Sequence, residues 1–158
     1  MVIKMTRKTS QTLILRDTKW KVEILDGLIN KGYFLSRGEA YRFGASITLL
    51  SYGHLKHNEV KALCQQMLGA MFRNTIEVLN DKNINEFITK LNYIHDRFKI
   101  LHKIADLNPI IHEIGILKID DEILKIIENL KAPRKEDLNT ILVNIKENLL
   151  KITEEYSI

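Results

Sequence analysis

The chain has 158 residues, enough for one ordinary domain or two small ones, and its 45% apolar content calls for a packed core rather than disorder. No apolar run approaches the roughly 20 residues that span a bilayer. The basic N-terminus lacks the apolar stretch of a secretory signal, and the single Cys64 excludes an internal disulfide, so a reducing cytoplasm is the expected setting.

The formal charge of +4 is unevenly spread. Residues 1–56 hold ten Lys/Arg and four acids, a net +6, whereas the remainder stands at −2. A basic first third suggests that this part meets a polyanion and the rest does not. Two prolines and seven glycines, with Leu, Ile, Lys, Glu and Asn dominating after residue 55, favour a mainly helical protein.

Residues 1–8 are short, basic and unpatterned, and read as an arm. Residues 11–16 alternate, with Thr12, Ile14 and Arg16 on one side and Gln11, Leu13 and Leu15 on the other. The spacing predicts a short strand with Leu13 and Leu15 inward, because the opposite facing would bury Arg16. Asp17 or Thr18 is placed to cap a first helix striped by Trp20, Val22, Ile24, Leu25, Leu28 and Ile29 and ended by Gly32. Ser36 with Glu39 three residues on is a capping-box pattern for a second helix from Arg37 to about Tyr52. Ala40, Phe43, Ala45, Ile47 and Leu50 give it small or apolar positions suited to close packing.

After residue 55 four apolar seams follow. Val60 to Leu79 has helical spacing. Ile84, Phe87, Leu91, Ile94, Phe98, Leu101 and Ala105 step by threes and fours, and Asn108-Pro109 ends that helix. Residues 110–118 contain Gly115 and predict a loop or short turn. Ile119, Ile123, Ile126 and Leu130, then Leu138, Leu142, Ile145, Leu149, Ile152 and Tyr156, supply two further helices. The sum is an antiparallel helical bundle over residues 55–158.

The order of strand, helix, Gly turn and capping box over residues 9–52 resembles the ribbon-helix-helix family of DNA-binding proteins. The closest part is Leu25-Asp26-Gly27-Leu28-Ile29-Asn30-Lys31-Gly32 followed by Ser36-Arg37-Gly38-Glu39-Ala40-Tyr41-Arg42. The resemblance covers under a third of the chain. It implies a dimerising, DNA-binding unit over residues 9–54, with the strands of two copies paired in a major groove. Ser10, Thr12, Ile14 and Arg16 would then face the bases, Arg16 suiting guanine and Ile14 reaching only a thymine methyl. It also implies that Ser36, Arg37 and Gly38 set the second helix's N-terminus on phosphate. The run GYFLSRGEAYRFGASITLLSYG is also similar to small accessory proteins of DNA phosphorothioation systems.

No catalytic constellation stands out. His54 and His57 form an H-x-x-H that nothing nearby completes as a zinc site, and His95 and His102 flank an apolar seam as rim residues. Cys64 reads as a small core residue. No nucleophile elbow, phosphate loop or dinucleotide fingerprint occurs, and no cofactor is implied. The expectation is a non-enzymatic, cytoplasmic homodimer binding double-stranded DNA as a transcriptional regulator, without membrane contact, its bundle free to bind a protein partner. The alternatives are an interaction module whose N-terminal unit serves only to dimerise, an accessory protein of an anti-phage defence system, or an antitoxin.

Overall fold

The computed structural model describes residues 11–79, 82–133 and 136–158. Along the chain these residues form seven helices: α1 Lys19–Asn30, α2 Arg37–Tyr52, α3 His57–Glu77, α4 Ile84–Ala105, α5 Ile110–Glu113, α6 Lys118–Lys131 and α7 Leu138–Tyr156. The mainly helical expectation therefore holds, and the seams mark where the core lies. Phe87, Leu91, Ile94, Phe98 and Leu101 of α4 are fully buried. Ile119, Ile123, Ile126 and Leu130 of α6 and Leu142, Ile145, Leu149 and Ile152 of α7 are buried with them.

α3 is the central element, packing on α2, α4, α5 and α7. It runs antiparallel to α4: Lys90 Nζ reaches Asn74 Oδ1 at 2.9 Å, and Arg97 Nη1 reaches the Met67 carbonyl at 2.6 Å, so later residues of one meet earlier residues of the other. Two of α3's core side chains are Met67 and Met71, unbranched thioethers that adapt to irregular packing space. α5 is a single turn that takes up part of the predicted loop. Pro109, with φ −61°, precedes it, and Gly115, at φ +72°, turns the chain after it.

α2 belongs to the same core, for Phe43 and Leu50 are buried in one apolar cluster with α3 and α4. Its start follows the predicted chemistry. Ser36 Oγ accepts from the Glu39 N–H at 3.1 Å, and Glu39 in return accepts from the Leu35 N–H at 3.0 Å. The preceding turn uses Gly32 at φ +86°, a left-handed conformation that costs a side-chain-bearing residue strain. Tyr93 closes that turn from α4, its hydroxyl donating to the Lys31 carbonyl and its ring stacked on Tyr33 at 4.1 Å.

The N-terminal strand is absent: residues 11–18 have no regular structure, and no strand occurs among the described residues. The ribbon element of the expected fold is thereby overturned. The physical reason is the lack of a partner. A strand needs a neighbouring extended segment to receive its N–H and C=O groups, and every other described element is a helix. Leu13 and Leu15, expected to face inward, are exposed, as is Ile14 between them. Thr18 occupies the N-cap position of α1 without a side-chain cap bond, and Asp17 instead accepts from the Thr18 N–H at 2.8 Å. Residues 1–8 and Ser10 lie outside the described residues.

Candidate interaction surface

α1 differs from the other six helices in burying none of its residues. Its apolar stripe splits into two parts. Val22, Leu25, Leu28 and Ile29 are half-buried on the side toward α2, whereas Trp20 and Ile24, one turn apart, are 60% and 59% exposed. Leu13, Ile14 and Leu15 precede them, Ile14 at 89% exposed. On α2, Leu49 and Tyr52 add a second exposed apolar pair at helical spacing. Single exposed apolar side chains, such as Leu124 on α6, need no explanation; five within twelve residues do.

Charged contacts fasten this unit. Arg37 grips Asp26 with two parallel bonds, Nε to Oδ1 and Nη2 to Oδ2, each 2.7 Å. The hydrogen bond from Arg37 holds the Asp26 carboxyl below its ordinary range, and the same bond raises the arginine. Tyr41 donates to Asp17 Oδ2 at 3.0 Å, and that bond raises the phenol. Asp17 is held low, first by the Thr18 N–H and then by Tyr41 and Lys21. Arg42 folds back so that its Nη1 would lie 3.1 Å from a Cβ on Gly38.

The residues predicted to touch DNA are thus placed as follows. Thr12, Ile14 and Arg16 are exposed in the irregular segment. Ser36, Arg37 and Gly38 come together at the start of α2, where each already has local company: Ser36 caps the helix, Arg37 binds Asp26, and Arg42 covers Gly38.

Two clusters escaped sequence reasoning. In the first, Arg97, 4% exposed, bonds to Glu39, to the Met67 carbonyl and to the Tyr33 carbonyl, and lies against the rings of Phe34 and Phe43. The signal was present: Arg97 stands three residues after Ile94 and four before Leu101, on the apolar face of α4. In the second, the buried Asp120 of α6 takes His95 Nδ1 at 2.7 Å and faces His102 Nε2 at 3.5 Å. His57 separately pairs with Glu113. Among the described residues no group of three or more His, Cys, Asp or Glu is placed to hold a metal ion, and no helix is long and apolar enough to cross a membrane. Cys64 is fully buried, and burial pushes its thiol up to about 12.

Compared with family models, curated proteins and solved structures, the chain matches none of them.

Proposed function

We propose that the chain acts by non-covalent association, the unit of residues 11–52 being an interaction element carried on a rigid helical platform. One observation carries this reading: α1 buries no residue yet presents Trp20 and Ile24 outward, a few residues after the exposed Leu13, Ile14 and Leu15. Fully burying side chains of this kind stabilises by about 1.5–3 kcal/mol each, a gain the lone chain leaves largely unused. The half-buried side of α1, the Arg37–Asp26 fork and the Arg97–Glu39 pair hold the element at a fixed place on the bundle. The test is the double substitution W20S/I24S. Urea unfolding of the dilute variant should match the parent within about 0.5 kcal/mol, the range for surface sites. A loss above about 2 kcal/mol would assign these residues to the fold instead.

A second reading, binding of duplex DNA, is supported by the way the charges pair. Each of the four acids in residues 1–56 is engaged: Asp17 with Lys21, Glu23 with Lys19, Asp26 with Arg37, and Glu39 with Arg97 from outside the segment. No ion pair among the described residues engages Arg16, Lys31, Arg42 or Lys56. These cations suit phosphate contacts without base reading. Gel-shift titration with mixed duplexes should show binding that weakens steeply with salt. Absence of a shift at low salt removes this reading and leaves the first untouched.

A further inference from the structure

We infer that the groove between α6 and α7 binds a segment of extended polypeptide by its main chain, at a site separate from the α1 surface. α6 packs on α4 and α7 on α3, so each is held by a different neighbour and a groove is left between them. It opens as two cavities of about 420 and 340 Å³ that share Asn148 in their walls. The first lies between the end of α6 and the start of α7, and the second between the start of α6 and the end of α7. The groove therefore follows two antiparallel helices. Buried isoleucines floor it, Ile126 and Ile145 in the first cavity and Ile119 and Ile152 in the second. α6 has 14 residues, about 21 Å of axis at ~1.5 Å per residue. That length takes about six residues of extended chain at ~3.3 Å each.

Three carboxamides single out that occupant. Asn144 and Asn148 of α7 and Asn129 of α6 line the first cavity, and no hydrogen bond among the described residues engages their side chains. By contrast, Asn92 donates to the Ile88 carbonyl and Asn108 to the Leu50 carbonyl. A carboxamide carries an acceptor and two donors on adjacent atoms, the complement of a peptide residue's N–H and C=O. The pitch agrees. Four positions of helix advance about 6 Å, and two residues of extended chain advance about 6.4–6.8 Å. Asn144 and Asn148 therefore meet alternate residues, those whose N–H and C=O point toward α7. The residues between them point theirs toward α6, where Asn129 stands. Side chains of such a segment alternate between the isoleucine floor and solvent, so every second residue of the partner is apolar. The second cavity does not favour a polyanion, since Lys118 and Lys151 are balanced there by Glu122 and Glu155. A bound helix would satisfy its own N–H and C=O groups and leave the carboxamides unused.

The test selects random dodecapeptides displayed on phage against the full chain, then titrates the enriched peptides as free synthetic probes. Alternate apolar residues should recur among them. N144A/N148A should weaken their binding at least about tenfold, through the loss of several hydrogen bonds. Methylating the peptide's main-chain nitrogens should weaken it similarly, and W20S/I24S should leave it unchanged. Far-ultraviolet circular dichroism and urea unfolding establish that each variant is folded, with N144S/N148S as the substitute should N144A/N148A not be. An absence of enriched peptides overturns the site. So do peptides that bind the folded asparagine variant as tightly as the parent, or that become helical on binding. Peptides lost by W20S/I24S belong to the α1 surface and overturn the groove while leaving the association reading standing.

Discussion

Arg97 of α4 donates to Glu39 of α2 at 2.6 Å across 58 positions of sequence, and both side chains are buried, at 4% and 7% exposed. The pair makes Glu39 serve two elements. Its other oxygen accepts from the Leu35 N–H and so closes the turn into α2. The guanidinium also takes the carbonyls of Met67 and Tyr33, so one side chain joins α2, α3, α4 and the Gly32 turn. The α1–α2 unit is therefore held by a buried charge rather than by apolar contact alone. No buried side-chain nitrogen or oxygen among the described residues is left without a partner.

Removing Arg97 should be among the costlier single changes in the protein. Arg97→Met leaves the Glu39 carboxylate buried without its cation and should cost about 3–5 kcal/mol. The double change of Glu39→Leu with Arg97→Met should lose less, because the stranded charge goes too. It should not reach the parent's stability, because the Tyr33 carbonyl and the Leu35 N–H lose their partners. Urea unfolding of the three chains measures the difference. Equal stability of the single variant and the parent would show that the pair contributes nothing.

Ser36 and Arg37 adjoin but should separate cleanly in experiment. Ser36→Ala removes the oxygen that receives the Glu39 N–H, and should lower stability by about 1 kcal/mol. Arg37→Ala removes the donor that keeps Asp26 ionised, so the Asp26 carboxyl should titrate at a higher pH than in the parent. The sign follows from linkage. The depressed Asp26 contributes stability above its unfolded value, and that contribution is lost as pH falls through the folded value. Carboxyl carbon chemical shifts followed against pH would show it. An unmoved Asp26 titration would mean that the fork is not formed in solution.

Cys64 should be chemically silent while the chain is folded. Its thiol is enclosed and held protonated up to about 12, so a thiol reagent near neutral pH should modify it only after unfolding. The unfolded thiol ionises near its ordinary value of 9.0 and the native one does not. Cys64 thus favours the folded chain below pH 9, and this advantage declines as pH rises from there toward 12. Labelling in native and urea-treated samples settles the first point. Rapid native labelling would place Cys64 near a surface opening.

The bundle was largely legible because burial on one side of a helix imposes spacing. The seam of Phe87, Leu91, Ile94, Phe98 and Leu101 names buried residues and needs no knowledge of the partner helix. Gly32 and Ser36 were legible for a similar reason, since a left-handed turn and a helix N-terminus each demand a residue type. The segment from Gln11 to Arg16 was not. Its alternation suits a strand, but alternation records only which side chains can share a face, and a strand exists only where another extended segment receives its backbone. Arg97 went unread for the opposite reason: a charge in an apolar row has meaning only with its partner, here Glu39 on a distant helix, and spacing does not name that partner.

Trp20 is the only tryptophan in the chain, so its fluorescence reports the α1 surface without substitution. The most direct measurement is collisional quenching of that fluorescence by acrylamide in the dilute folded chain. An outward α1 predicts quenching that approaches the efficiency seen in the urea-unfolded chain. Strong protection in a dilute sample of monomer mass would contradict it, for Trp20 would then be packed against its own chain.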